Sequence, residues 1–147
     1  MTTKTLSPGS RLGMLGGGQL GRMFGQAARR SGYGFVVFGD PSDSPAGQIA
    51  DRSFAAGFLD EDALREFAAT VDVVSYEQEN IPVRTVEFLQ QFVPVYPGPE
   101  LLKASQHRLL EKTSLRSIGI PTADFLRITS AEELAKGVEQ FGGDAIL

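Results

Sequence analysis

The sequence predicts a doubly wound α/β fold with a parallel sheet, on three observations. Short apolar runs alternate with stretches of helical periodicity from Leu12 to Tyr96. One of those runs, Phe35-Val36-Val37-Phe38, is continuously apolar, as a strand covered on both faces must be. Between the first apolar run and the first helical stretch lie Gly16, Gly17 and Gly18, and Gly21 completes G-x-G-x-x-G in the strand-to-helix setting that pattern requires.

The first element is a buried strand at Leu12–Leu15, which breaks into the glycines. Glycines permit a tight turn and let the backbone approach a ligand with no Cβ in the way. The following helix, with Leu20, Met23, Phe24, Ala27 and Ala28 at the spacing of one apolar face, offers unpaired N–H groups at its start. An anion is favoured there, which makes this a phosphate-binding turn. Gln19 and Arg22 suit a phosphate, or are ordinary solvated side chains. The competing reading of the glycines is close strand–helix packing and nothing more.

Ser31-Gly32-Tyr33-Gly34 ends the first helix, and the strand Phe35–Phe38 runs into Asp40. In dinucleotide enzymes a ribose-binding carboxylate occupies this place. Asp40-Pro41 is otherwise a simple turn. A loop to Gln48 leads to a weak strand within Ile49–Ala56. Asp60 caps a helix carrying Ala63, Leu64, Phe67, Ala68 and Val71 on one face. A strand at Val71–Tyr76 passes into Glu77-Gln78-Glu79-Asn80-Ile81-Pro82; a helix near Val83–Phe92 and a strand at Val93–Tyr96 follow.

Beyond the stiff Pro97-Gly98-Pro99, helices are expected at Glu100–Gln106 and Arg108–Gly119, the latter with apolar Leu109, Leu110, Leu115 and Ile118. Pro121–Ile128 reads as an exposed or edge strand. Ser130-Ala131-Glu132-Glu133 is a capping box, opening a helix buried through Leu134, Ala135, Val138 and Phe141. Asp144–Leu147 reads as the start of another strand.

The bulk numbers exclude several classes. A net charge of −4 without a basic run gives no electrostatic footprint for nucleic acid. No cysteine and one histidine leave neither disulfides nor a thiolate or histidine metal centre. The polar opening Met1–Ser10 is not a secretory signal, and no apolar run approaches the ~20 residues of a membrane helix, so a cytoplasmic protein is expected.

In the usual doubly wound order the first and fourth strands are neighbours, and ligands bind beyond their carboxyl ends. The glycine turn and the Tyr76–Asn80 stretch would then face one cleft. Glu77 and Glu79, two apart, point the same way while the chain stays extended. A phosphate site beside carboxylates suits a sugar phosphate or ribonucleotide; the plain alternative is solvated charges ahead of Pro82.

Gly16–Met23, Asp40-Pro41 with Ser44–Gln48, Tyr76–Pro82, Pro97-Gly98-Pro99, and Glu111-Lys112 with Gly119–Thr122 resemble the 5-(carboxyamino)imidazole ribonucleotide synthase family. These are ATP-grasp ligases of purine biosynthesis. The resemblance runs in order from about Ser10 to Leu147 and is carried by the combination, since the glycine turn alone is common.

The resemblance implies a Rossmann-like pre-ATP-grasp domain over residues 1–104 and a linker helix with the beginning of the ATP-grasp domain over 105–147. It implies ATP-driven carboxylation of aminoimidazole ribonucleotide by bicarbonate through carboxyphosphate, with Mg2+ on the nucleotide phosphates and a homodimeric full-length enzyme. Gly17, Gly18, Gln19 and Leu20 would lie near the ribonucleotide phosphate. Tyr76 and Glu77, or failing that Glu79, would hold the ribose, and Arg108 would contact ATP or else be a solvated helix arginine. His107 stands where the family leads one to expect aspartate. The main ATP and Mg2+ residues, and any catalytic group, are expected beyond Leu147, so the chain alone should not turn over ATP.

Two other readings compete. A nicotinamide-binding module of a dehydrogenase would use the glycine turn and Asp40, and a non-catalytic association domain would use neither.

Overall fold

A computed structural model describes residues 5–143 with Ala145 and Ile146. The chain divides into two compact units, Met1–Gln106 and His107–Leu147.

The first unit is built on a four-stranded, wholly parallel sheet in the order β3-β2-β1-β4. Its strands are β1 (Arg11–Leu15), β2 (Gly34–Phe38), β3 (Arg52–Phe54) and β4 (Val73–Tyr76). The helices α1 (Gln19–Arg30), α2 (Glu61–Ala68), α3 (Val83–Leu89) and α4 (Pro99–Ser105) complete it. Side chains alternate across a strand, so an apolar run buried throughout must feed two cores. Leu15, Val36 and Phe38 join Leu64, Phe67, Val86, Leu89 and Leu102 from α2, α3 and α4. Met14, Phe35 and Val37 join Ala46, with Phe24 of α1 packed alongside. The ring of Phe38 lies 5.3 Å from that of Phe67, centroid to centroid, at the centre of the larger core.

Helix α1 is held differently from the expectation. Leu20 and Met23 are 63% and 62% exposed, and Ala27 is exposed too. The buried stripe is Gly21, Gly25 and Ala28. A Cβ on Gly25 would collide with the Phe35 ring, so the bare backbone is what lets α1 lie against β2. Asp60 caps α2 as expected, accepting from the Ala63 N–H at 3.0 Å.

The expected strand at Val93–Tyr96 reduces to one parallel bridge, Val74 to Val95. The Val74 N–H donates to Pro94 O and the Tyr96 N–H to Val74 O, each at 2.9 Å. Pro94 and Pro97 have no N–H to extend the ladder.

The second unit consists of α5 (Arg108–Ser117) and α6 (Ala131–Gln140). Gly137 is its one buried residue among those described. Leu110 and Ile118 are exposed, and Ala135 does not contribute a buried face. Pro121–Ile128 forms no strand, having no pairing partner among the described residues. The expected strand at Asp144–Leu147 lies partly outside the described residues, and Ala145 and Ile146 are not in one.

Ser130 Oγ caps α6 by accepting from the Glu133 N–H at 3.2 Å. The return arm of the box shifts by one residue: the Glu133 carboxylate accepts from the Thr129 N–H and hydroxyl, both at 2.7 Å. Those two donors, hydroxyl first, hold the Glu133 carboxyl below the usual glutamate range.

Candidate functional site

Strands β1 and β4 are adjacent and parallel, with Leu15 opposite Tyr76 in the register. The glycine turn after Leu15 and the glutamate stretch after Tyr76 therefore leave the sheet at the same rim. This is the carboxyl edge at which open α/β sheets place their ligands.

The turn is shaped by glycine. Gly16 has φ +99°, a left-handed conformation that L side chains rarely adopt. Its N–H donates to Phe38 O at 2.9 Å, fastening the turn to the end of β2. Gly18 is the N-cap of α1 and makes no side-chain cap. The first intrahelical bond at this end runs from the Arg22 N–H to Gly18 O. The amides of Gly18, Gln19, Leu20 and Gly21 thus open the helix with no partner inside it, at the positive end of twelve aligned peptide dipoles.

Gly17 is engaged otherwise. Its N–H donates to Asp40 Oδ2 at 2.7 Å, and its carbonyl accepts from the Ala46 N–H at 2.9 Å. Asp40 is thus neither a plain turn starter nor an uncommitted ribose acceptor. Arg22 is also drawn off the turn, its guanidinium donating to Pro45 O at 2.9 Å and to Gln48 Oε1 at 2.7 Å.

From the β4 side, Glu77 closes on the same turn. A Cβ on Gly18 would come within 2.7 Å of Glu77 Oε1. The other carboxylate oxygen, Glu77 Oε2, is buried and has no hydrogen-bond partner among the described residues. A buried carboxylate oxygen without a donor is costly, and a bound water or ligand is one way to supply what it lacks. Glu79 differs. The extended run ends at Glu77-Gln78, and Glu79 lies exposed in the turn with Asn80, so the two-residue alternation does not reach it. Gln78, not anticipated from the sequence, places its amide 3.5 Å from where a Cβ on Gly16 would stand. Its adjacency to Glu77 was the only available signal.

Tyr76 is partly buried, which raises its phenol above the usual range, and its hydroxyl donates to Gly98 O at 3.3 Å. It braces the Pro97-Gly98-Pro99 turn against the end of β4. In the second unit, Arg108 pairs with Glu111 at 2.8 Å on the exposed face of α5. His107 is the N-cap of that helix, its Nδ1 accepting from the Leu109 N–H at 3.2 Å.

Residues 10–106 match the ribonucleotide synthetase preATP-grasp domain. The chain belongs to that family. Over its full length it is 41% identical to N5-carboxyaminoimidazole ribonucleotide synthase of Brucella melitensis. A crystal structure of the ADP complex of such a synthetase covers 95% of this chain with TM-score 0.87 at 34% identity. The Aspergillus clavatus synthase, crystallised with ADP and 5-aminoimidazole ribonucleotide, covers 92% with TM-score 0.73 at 33% identity. The preATP-grasp chain spans 41% of the Brucella enzyme and 37% of each crystallised chain.

Proposed function

We propose that the chain is the amino-terminal, ribonucleotide-binding portion of an ATP-dependent ligase that carboxylates 5-aminoimidazole ribonucleotide with bicarbonate. The observation that carries this reading is Glu77. Its buried oxygen, without a hydrogen-bond partner among the described residues, stands beside a helix start with no side-chain cap on the shared rim of β1 and β4. A ribonucleotide supplies what both lack: a phosphate for the amides and hydroxyl donors for the carboxylate. In this reading the N–H groups of Gly18, Gln19 and Leu20 take the 5′-phosphate, Gly17 shapes the turn, and Glu77 accepts from the ribose. Tyr76 holds the rim in place, while Glu79 is a reserve acceptor that the turn carries outward.

The chemistry implied by the family divides between parts of the enzyme. This portion orients the ribonucleotide so that its exocyclic amine is presented in one pose, which lowers the entropic barrier to attack on an activated carboxyl group. Among the described residues no group of three or more histidines, cysteines and acids could hold a metal ion, and no step is assigned to magnesium in this portion. ATP and magnesium belong, in this proposal, to the three fifths of the enzyme outside the matched length, with Arg108 contributing a nucleotide contact. In this proposal homodimerisation rests on the resemblance to the family.

Calorimetric titration with 5-aminoimidazole ribonucleotide tests the reading. Binding is expected, and Glu77→Gln should weaken it about tenfold by removing the charged acceptor while leaving the fold intact. No binding, or a fluorescence titration showing affinity for NADH, would refute it.

A further inference from the structure

We infer that Asp40 is a positioning and specificity-determining residue: it anchors Gly17 so that the amides from Gly18 onward, and not that of Gly17, face the ligand, and it closes the β2 side of the turn. This rests on the ribonucleotide reading above and deepens it. Both peptide groups flanking the Gly17 Cα are held: the one to Gly16 through the Gly17 N–H on Asp40 Oδ2 at 2.7 Å, and the one to Gly18 through the Gly17 carbonyl, which accepts from the Ala46 N–H at 2.9 Å. A Cβ on Gly17 would meet Asp40 Cβ at 2.5 Å and Ser44 Oγ at 2.7 Å, so the 41–48 loop packs directly on this peptide. The loop is itself tied to α1 through Arg22, which donates to Pro45 O and Gln48 Oε1.

Two consequences follow from the geometry. The charge-assisted bond from Gly17 fixes where the turn ends, and hence the direction in which the Gly18, Gln19 and Leu20 amides point. The ligand's sugar must also leave toward β4, where Glu77 waits, because the β2 side is roofed by the loop and carries the Asp40 charge. A terminal phosphate monoester of ribose fits this arrangement.

The test follows backbone amides by NMR while ribose 5-phosphate is added to the full chain. In the unaltered protein the Gly18, Gln19 and Leu20 resonances should shift and the Gly17 resonance should stay. Asp40→Ala should weaken binding about tenfold, whereas Asp40→Asn, which keeps an acceptor for the Gly17 N–H, should bind within about threefold of the original. A merely structural role would lower thermal stability in both variants without separating their affinities. Equal affinity for the alanine and original proteins overturns the assignment, as does an asparagine variant as weak as the alanine one. If Asp40→Ala does not fold, the unaltered protein still decides, because a Gly17 shift as large as its neighbours' refutes the lock. No shift at any of these amides removes the ribonucleotide reading and this assignment together; shifts that ignore Asp40 remove this assignment alone.

Discussion

A methyl group on Gly18 would stand 2.7 Å from Glu77 Oε1, closer than a real Cβ contact allows. The atom it meets is the far end of a flexible side chain, so the carboxylate can swing away at small cost. Gly18 has φ −73°, which alanine tolerates, leaving mainly the N-cap penalty of about 0.5–1 kcal/mol. Gly18→Ala is therefore expected to melt close to the original protein yet bind ribonucleotide about tenfold more weakly, because Glu77 is turned out of the site. Paired melting and titration curves check this, and unchanged affinity would count against Glu77. At this scale the sequence was partly legible. The glycine pattern located the turn, but the spacing of Glu77 and Glu79 could not rank them, since the ranking depends on where the extended chain stops. Asp40 was visible as a carboxylate at the right distance; its partner, a main-chain N–H, leaves no trace in a pattern of side chains.

The elements show a similar division. The continuous run Phe35–Phe38 fixed a strand buried on both faces, and two separate cores duly use its alternate residues. Helix α1 was legible as a helix and not in its orientation, because periodicity is read from apolar side chains and this buried stripe is made of Gly21, Gly25 and Ala28. At Val93–Tyr96 composition favoured a strand, but prolines withheld the N–H groups a ladder needs. Helix α5 offers a direct test of local capping. His107 holds the N-cap through Nδ1, which accepts from the Leu109 N–H at 3.2 Å. Aspartate, the residue expected there by resemblance, would add a full negative charge at the positive end of the helix. His107→Asp should stabilise α5 by about 0.5–1 kcal/mol at neutral pH, seen as higher helicity and thermal midpoint.

For the molecule as a whole, the two units differ in how their residues are buried. Met1–Gln106 contains both apolar cores, whereas Gly137 is the one buried residue among those described in His107–Leu147. Hydrogen exchange should therefore be slowest in β1, β2 and β4 and markedly faster throughout α5 and α6, since protection follows local burial. Comparable protection in both units would contradict this description. The helices of the second unit were legible from Ser130 and from Gly119, but of the face expected to be buried on α6, Leu134, Val138 and Phe141 are only half-buried and Ala135 is exposed. Helical periodicity specifies a face and says nothing of what covers it.

Contact between Gly25 and the Phe35 ring sets how near α1 rides to the sheet. Gly18, Gln19 and Leu20 open that same helix, so its standoff also determines how far their N–H groups project past the rim. A side chain introduced at Gly25, well inside the protein, would lift the helix and shift the proposed phosphate-binding amides while every residue at the mouth stayed chemically intact.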